Sequence, residues 1–297
     1  MKNLFAIGLL RFFSLLPLPV NHALGALIGW LCWIFPTRLK QHTLLNLEAC
    51  LPEYNLQQRR RLAKQSLMET GKSLTELGPL WYWNATRLLK YIKTLSPDIL
   101  GQAQAKQKGI IVLTPHLGSW EMAGLEVATR IPLTSLYRPP RLSALNTLSV
   151  SARERTGAKL VPTNTRGVKA LFKALAQQQG IGVLPDQDAG KTGSVFAPFF
   201  DVTASTVSLV SRLIKKTGAQ TILVYAERLP YGHGYILHMH QPSDDIYNDD
   251  LVISATAMNQ AIEDCIRNNP AQYQWSYKRF KTQPDDAVNI YDKGKQQ

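Results

Sequence analysis

From residue 109 onward the chain alternates short apolar runs with longer segments of helical period, and this alternation narrows the possible folds more than any other feature. GIIVLTP (109–115), LTSLYR (133–138), AKLVP (158–162) and IGVLP (181–185) are strand-sized; SWEMAGLEVATR (119–130), ALNTLSVSARER (144–155) and GVKALFKALAQQQ (167–179) lie between and after them with apolar residues three and four apart. Parallel strands need a crossover to join them, and strands covered on both faces lose the polar half of their pattern. The expected fold class is therefore α/β, a mostly parallel central sheet flanked by helices. TILVYAERL (221–229) and YILHMHQ (235–241) bracket the turn YGHG and predict a hairpin. Helices are expected over TVSLVSRLIKKTG, ISATAMNQAIEDCIRNN and most of Gln41–Leu80, where Arg59, Arg60, Arg61 and Lys64 form either a solvated face or a contact for anionic lipid. The Gln- and Lys-containing tail after Pro284 is expected to fray.

The N-terminus is different in kind. Leu4 to Phe35 is apolar except for Arg11, Ser14, Asn21 and His22, and Pro17 and Pro19 divide it into two pieces, neither of the roughly 20 residues that a span requires. Residues 1–36 are expected to form an N-terminal membrane-anchoring helical segment, either a proline-kinked span or a helix pair lying in the interface, and residues 37–297 one α/β domain. Trp30 and Trp33 suit headgroup depth, and Arg38 and Lys40 follow as positive-inside orientation requires. Against a cleaved signal peptide stands the apolarity that continues past any small-residue cleavage site. A buried core helix of a soluble protein is the other alternative.

Lysine and arginine total 34 against 21 acidic residues, a formal charge of +13 over 297 residues, of which only Lys2 and Arg11 fall in the first 36. Such a basic body calls for an anionic partner: nucleic acid, acidic lipid headgroups or an acidic carrier protein. Three widely spaced cysteines (Cys32, Cys50, Cys265) exclude a disulfide framework and a paired-cysteine zinc site, and point to a reducing compartment.

The chemistry-bearing segment is His116-Leu-Gly-Ser-Trp-Glu121, where the first α/β strand ends, the edge at which open α/β sheets place their sites. Ser119 is the expected N-cap, so that Glu121 falls in the first helical turn and can fold back on His116, fixing one imidazole tautomer while the other nitrogen takes a proton from a hydroxyl. Spacing alone proves little: with six histidines and 21 acidic residues, His240 and Asp245 match the same pattern, though with no glycine turn or helix start between them. Gly190-Lys-Thr192 resembles the end of a P-loop but lacks the earlier glycine, Pro185 standing in its place. Asp186-Gln-Asp188 matches the metal-binding Asp-x-Asp of glycosyltransferases, and no G-x-S-x-G elbow exists. His233, His238 and His240 have no matched acidic or cysteine partner and read as plain strand composition.

Together these residues resemble the bacterial late acyltransferases of lipid A biosynthesis, the lauroyl/myristoyl type within the lysophospholipid acyltransferase superfamily. The likeness covers most of the chain: the apolar start, NLEACLPE (46–53), TPHLGSWE (114–121), LYRPP (136–140), SARERTG (151–157), LPDQD (184–188) and SVFAPFFDVTAST (194–206). The resemblance implies one-step transfer of a fatty acyl group from acyl carrier protein to a hydroxyl of a Kdo-bearing lipid A precursor, at the cytoplasmic side of the bacterial inner membrane. It makes His116 the general base and Glu121 its orienting carboxylate. Arg153, from the family's Arg-x-Arg element, becomes the first candidate for the developing oxyanion and Arg138 of YRPP the second, the alternative for each being a salt bridge or phosphate contact. Asp186 and Asp188 are expected to organise the site rather than hold metal, and Arg166 to meet acceptor phosphate. No cofactor is expected, since the thioester is already activated, and the basic body suits the acidic carrier and the phosphorylated glycolipid without invoking nucleic acid. Another glycolipid or phospholipid acceptor, a membrane glycosyltransferase built on Asp186 and Asp188, and a non-catalytic binder of anionic lipid or nucleic acid are the competing readings.

Overall fold

The computed structural model describes residues 2–140, 144–284, 287 and 289–292. Five helices come first: α1 (Lys2–Leu15), α2 (Leu18–Ile34), α3 (Arg38–Cys50), α4 (Leu56–Thr75) and α5 (Leu77–Tyr82). Pro17 ends α1 and precedes α2, because a proline within a helix removes a hydrogen bond and clashes with the preceding turn. Asn55 and Gln58 cap α4 reciprocally, each side chain accepting from the other's backbone N–H. The short α6 (Ala85–Leu89), β1 (Ile92–Thr94) and α7 (Asp98–Ala105) lead into the alternating part: β2 (Ile110–Leu113), α8 (Trp120–Val127), β3 (Leu133–Tyr137), α9 (Ala144–Glu154), β4 (Ala158–Pro162), α10 (Thr165–Ala176) and β5 (Gly180–Val183). A small antiparallel hairpin, β6 (Ser194–Phe199) with β7 (Val202–Val207), precedes α11 (Leu209–Thr217). Then come β8 (Gln220–Arg228), β9 (Tyr235–His240) and α12 (Leu251–Asn268).

Seven strands make the central sheet in the order β1-β9-β8-β2-β5-β3-β4. β8, β2, β5, β3 and β4 run parallel, while β9 returns antiparallel to β8 through the YGHG turn and β1 follows β9. The expected α/β class and the hairpin are therefore present. Alternation sorts the central side chains onto two faces. Ile111, Leu113, Ile181, Leu223 and Tyr225 pack with α3, α4, α10, α11 and α12; Ile110, Val112, Ile222 and Val224 pack with α7 and α8. The tail does not simply fray: Tyr291 is buried, and its hydroxyl donates to Asn46 Oδ1 at 2.6 Å and accepts from Phe280 N at 3.2 Å.

No helix among the described residues is long and apolar enough to cross a membrane alone, and α2 and α3 satisfy length and apolarity only as a pair bent by 81°. Nor is the apolar segment separate from the body. α2 lies along α4 so closely that a Cβ on Gly29 would fall 2.0 Å from the Leu67 carbonyl oxygen, and one on Gly71 2.0 Å from that of Gly25. Asn21, fully buried, donates to the carbonyls of Phe13 and Thr75 at 3.0 and 3.1 Å. The outer surface is another matter: Leu4, Phe5, Phe12 and Leu15 on α1, with Leu27, Leu31 and Ile34 on α2, remain exposed.

Beneath these helices lies a buried charge cluster. Arg228, at the end of β8, donates to Glu76 through Nε (2.8 Å) and Nη2 (2.7 Å), while His22 of α2 stands 3.4 Å and the Tyr235 hydroxyl 3.1 Å from the same carboxylate. Burial alone would push the Glu76 carboxyl up, but the charge and hydrogen bonds of Arg228, with His22 adding to them, hold it down at about 2. Because that folded value lies below the ordinary 4.5, its stabilisation is complete above pH 4.5 and disappears as pH falls toward 2. Glu76→Gln is expected to cost about 3–5 kcal/mol in denaturant unfolding near neutral pH, leaving Arg228 buried and uncompensated, and to flatten the acid limb of the Tm–pH curve. A variant with unchanged stability and an unchanged acid limb contradicts this account.

Candidate active site

His116 follows β2 by three residues, at the carboxyl edge of the sheet where strands release their loops. The loop carrying it is clamped on both sides. Gly118 N donates to the Gln272 carbonyl (3.0 Å), Ser119 N to that of Ala226 (2.8 Å), and Gln274 N to that of His116 (3.1 Å). Arg228 Nη2 reaches the Gly118 carbonyl at 2.8 Å. Gly118 sits at φ +62°, and a Cβ there would fall 2.1 Å from the Ala226 oxygen, so the motif admits no side chain at this position. Ser119 stands at the N-cap of α8, yet its side chain makes no capping bond.

The carboxylate on His116 belongs to Asp186, not to Glu121. Asp186, just past β5 on the neighbouring strand, meets His116 Nδ1 through Oδ1 and accepts from the His116 backbone N–H through Oδ2, both at 2.8 Å. Burial would raise the Asp186 carboxyl, but the charge and hydrogen bonds of His116 outweigh it and hold it below its usual value. An ionised Asp186 accepts only, so Nδ1 carries the proton and Nε2 offers a lone pair. Gln187 Nε2 lies 3.1 Å from that lone pair and donates to it. Sequence reasoning assigned Gln187 no role, although the LPDQD motif contains it. The Trp120 ring packs beside the imidazole, with centroids 5.0 Å apart.

Glu121 is turned instead to Arg153 of α9, accepting from Nε at 2.9 Å and from Nη2. The helical turn that presents Glu121 aims it across to α9, whereas the ring of His116 is captured from β5; this is why the expected His116–Glu121 bond does not form. The Glu121 carboxylate outweighs the effect of burial and raises the affinity of Arg153 for its proton. Its Nη1 has no protein partner among the described residues, and the guanidinium lies over the Tyr137 ring at 5.4 Å. The second arginine of the Arg-x-Arg element does something else: Arg155 donates to the carbonyls of Leu80 and Trp81, tying α9 to α5.

These groups open on a cavity of about 800 Å³, and His116, Glu121, Arg153, Arg138 and Asp188 are among its lining residues. Its wall at β3, β4 and α8 is apolar, formed by Leu125, Leu133, Leu136 and Leu160. Arg138 stands exposed at the end of β3. The structure does not bring Arg166 into the lining; it points outward from the first turn of α10. Asp188 accepts from Thr282 N and Oγ1, both at 3.0 Å, so both carboxylates of the Asp-x-Asp stretch are engaged by protein donors. Among the described residues no three His, Cys, Asp or Glu side chains converge as a metal site. His238 and His240 stack with Tyr225 on the sheet, but His238 does have an acidic partner that the sequence pattern does not show: Glu227, on the adjacent strand β8, lies 2.8 Å from its Nε2.

A family model described as bacterial lipid A biosynthesis acyltransferase matches residues 2–282. The chain belongs to this family. It is 30% identical over 286 residues to the lipid A biosynthesis lauroyltransferase of Escherichia coli K12, covering 96% of this chain and 93% of that one. To the palmitoleoyltransferase of the same organism it is 31% identical over 291 residues, covering 97% and 93%. A lipid A biosynthesis acyltransferase of Haemophilus influenzae is similar at 27% identity, covering 96% and 92%. The chain is thus an acyltransferase, and the cavity is its candidate active site.

Asp186→Asn is expected to lower kcat by about 10³–10⁴, the scale seen when the carboxylate behind a histidine base is neutralised. The acid limb of its kcat/KM–pH profile should move to lower pH, because a negative charge beside the imidazole is lost. Glu121→Gln should leave that limb in place whatever it does to the rate, since its carboxylate faces Arg153. A shift produced by Glu121→Gln alone would return the orienting role to Glu121.

Proposed function

We propose that this acyltransferase moves a fatty acyl group from acyl carrier protein to a hydroxyl of a Kdo-bearing lipid A precursor. The observation that carries the chemistry is the chain Asp186–His116–Gln187 opening on a cavity that also holds the Arg153–Glu121 pair. The acceptor hydroxyl displaces Gln187 from His116 Nε2 and gives up its proton there, while Asp186 stabilises the imidazolium from Nδ1. The hydroxyl oxygen attacks the thioester carbonyl carbon. Negative charge gathering on the carbonyl oxygen meets Arg153 Nη1 or, from the cavity rim, Arg138. The carbon–sulfur bond then breaks, and the departing thiolate takes the proton back from His116. The acyl chain lies along Leu125, Leu133, Leu136 and Leu160.

The relatives support the lipid A acceptor, since each is named as a lipid A biosynthesis acyltransferase. The exposed apolar residues of α1 and α2, followed by Arg38 and Lys40, support attachment to the inner membrane with the helix pair lying in the interface, the cavity facing the cytoplasm.

The test is mass spectrometry of a Kdo-bearing tetraacyl precursor incubated in detergent with acyl carrier protein thioesters of mixed chain length. Wild type is expected to add one acyl group, and His116→Ala none while remaining folded. Retained turnover in His116→Ala removes the histidine's role. No mass gain by wild type with any donor removes the proposed acceptor.

A further inference from the structure

The two helices that begin at the rim of the cavity carry six basic residues and no acidic one. Thr163, just before α10, and Leu209, the first residue of α11, both line the cavity. α10 connects parallel strands β4 and β5, and α11 leads into β8, parallel to β2, so both run from the carboxyl edge of the sheet toward its opposite edge. Arg166, Lys169 and Lys173 project to solvent from α10, and Arg212, Lys215 and Lys216 from α11. Lys216 sits over the ring of Phe172 on α10 at 5.8 Å, which joins the two rows into one surface. Only Lys215 is neutralised, by Asp249 at 3.1 Å; the other five form no ion pair among the described residues. Five unpaired cations side by side repel one another, a cost that an anionic partner relieves.

We propose that this α10–α11 face is where an acidic protein carrying the acyl thioester docks. The inference rests on the proposed carrier-dependent transfer and assigns it a surface. The lack of exposed large apolar side chains distinguishes a protein partner from a bilayer. The large apolar residues left exposed on this molecule are concentrated between Leu4 and Leu39, and none lies on α10 or α11. A membrane-binding surface combines basic with exposed apolar groups, as α1, α2 and the start of α3 do; the α10–α11 face exposes charge over half-buried Phe172, which suits transient, steered capture of a water-soluble acidic body. Docked there, a carrier stands at the rim over Thr163 and Leu209, with its flexible thioester arm next to the opening.

The experiment replaces Lys169, Lys173 and Lys216 with Glu and compares two donors of the same fatty acyl group, carrier protein and bare pantetheine. The expected result is a rise in KM for the carrier donor of about 10-fold or more, with a flattened dependence on salt and unchanged kinetics for the pantetheine thioester. The Lys→Gln versions should show a smaller rise. Unchanged KM for the carrier overturns the proposal, as does an equal loss with both donors. If the triple variant instead loses flotation with phosphatidylglycerol vesicles while its carrier kinetics hold, the face belongs to the membrane and the proposal fails. Absence of turnover by wild type with either donor sinks the functional reading, and this assignment with it.

Discussion

A single guanidinium in the interior ties the His116 loop to the helical N-terminal layer. Arg228 is almost wholly buried, and taking its charge out of water is tolerable only because Glu76, Ser73 and the Gly118 carbonyl accept its hydrogen bonds. Each acceptor comes from a different requirement of the fold. Glu76 and Ser73 lie where the helical N-terminal layer meets the sheet; Gly118 is the turn behind His116; Arg228 itself closes the central strand. His22 reaches the same carboxylate from α2. One buried ion pair thus links the loop of His116 to the seating of the apolar helices.

The second organising feature is a separation of carboxylates. Asp186 and Glu121 both lie at the HLGSWE loop, yet they answer to different partners. Asp186, buried against the imidazole, fixes its tautomer and leaves Nε2 as a proton acceptor. Glu121, on the first turn of α8, binds Arg153 and so pins a guanidinium beside the cavity without drawing it onto the base. Two carboxylates sharing one histidine would compete for the same nitrogen; placed on separate partners, they leave an oriented imidazole and an anchored guanidinium within one pocket.

How much of this was legible follows from the range of each interaction. The strand–helix alternation from residue 109 was readable because period and length are local properties, and the YGHG turn announced the β8–β9 hairpin. The HLGSWE loop was found as a site because it follows an apolar strand. Its internal pairing is not local: the likeness of His116 and Glu121 to a bonded pair comes from proximity along the chain, whereas Asp186 arrives from 70 residues away by the pairing of β2 with β5. Nothing in the local pattern encodes that register. The β6–β7 hairpin escaped notice because Phe200 and Asp201 make its turn at positive φ without a glycine. Tyr291 sits in a polar, lysine-bearing tail, and only the partner Asn46, 245 positions away, shows why it is buried. Arg166 lies outside the cavity lining for a related reason, since its position in the sequence next to β4 says nothing about which way the first turn of α10 faces.

The contact of α2 with α4 through Gly25, Gly29 and Gly71 bears on how such an enzyme can be handled. With backbones this close, the apolar helix is a wall of the core rather than a handle attached to it. Trimming it to obtain a more soluble protein would take Asn21 and His22 away from the Thr75 carbonyl and Glu76 and bare the α4 side of the core. Exchanging it for an unrelated hydrophobic helix would replace glycines where only glycines fit. Solubility is better sought on the outward residues, such as Leu4 and Phe5, which are largely exposed.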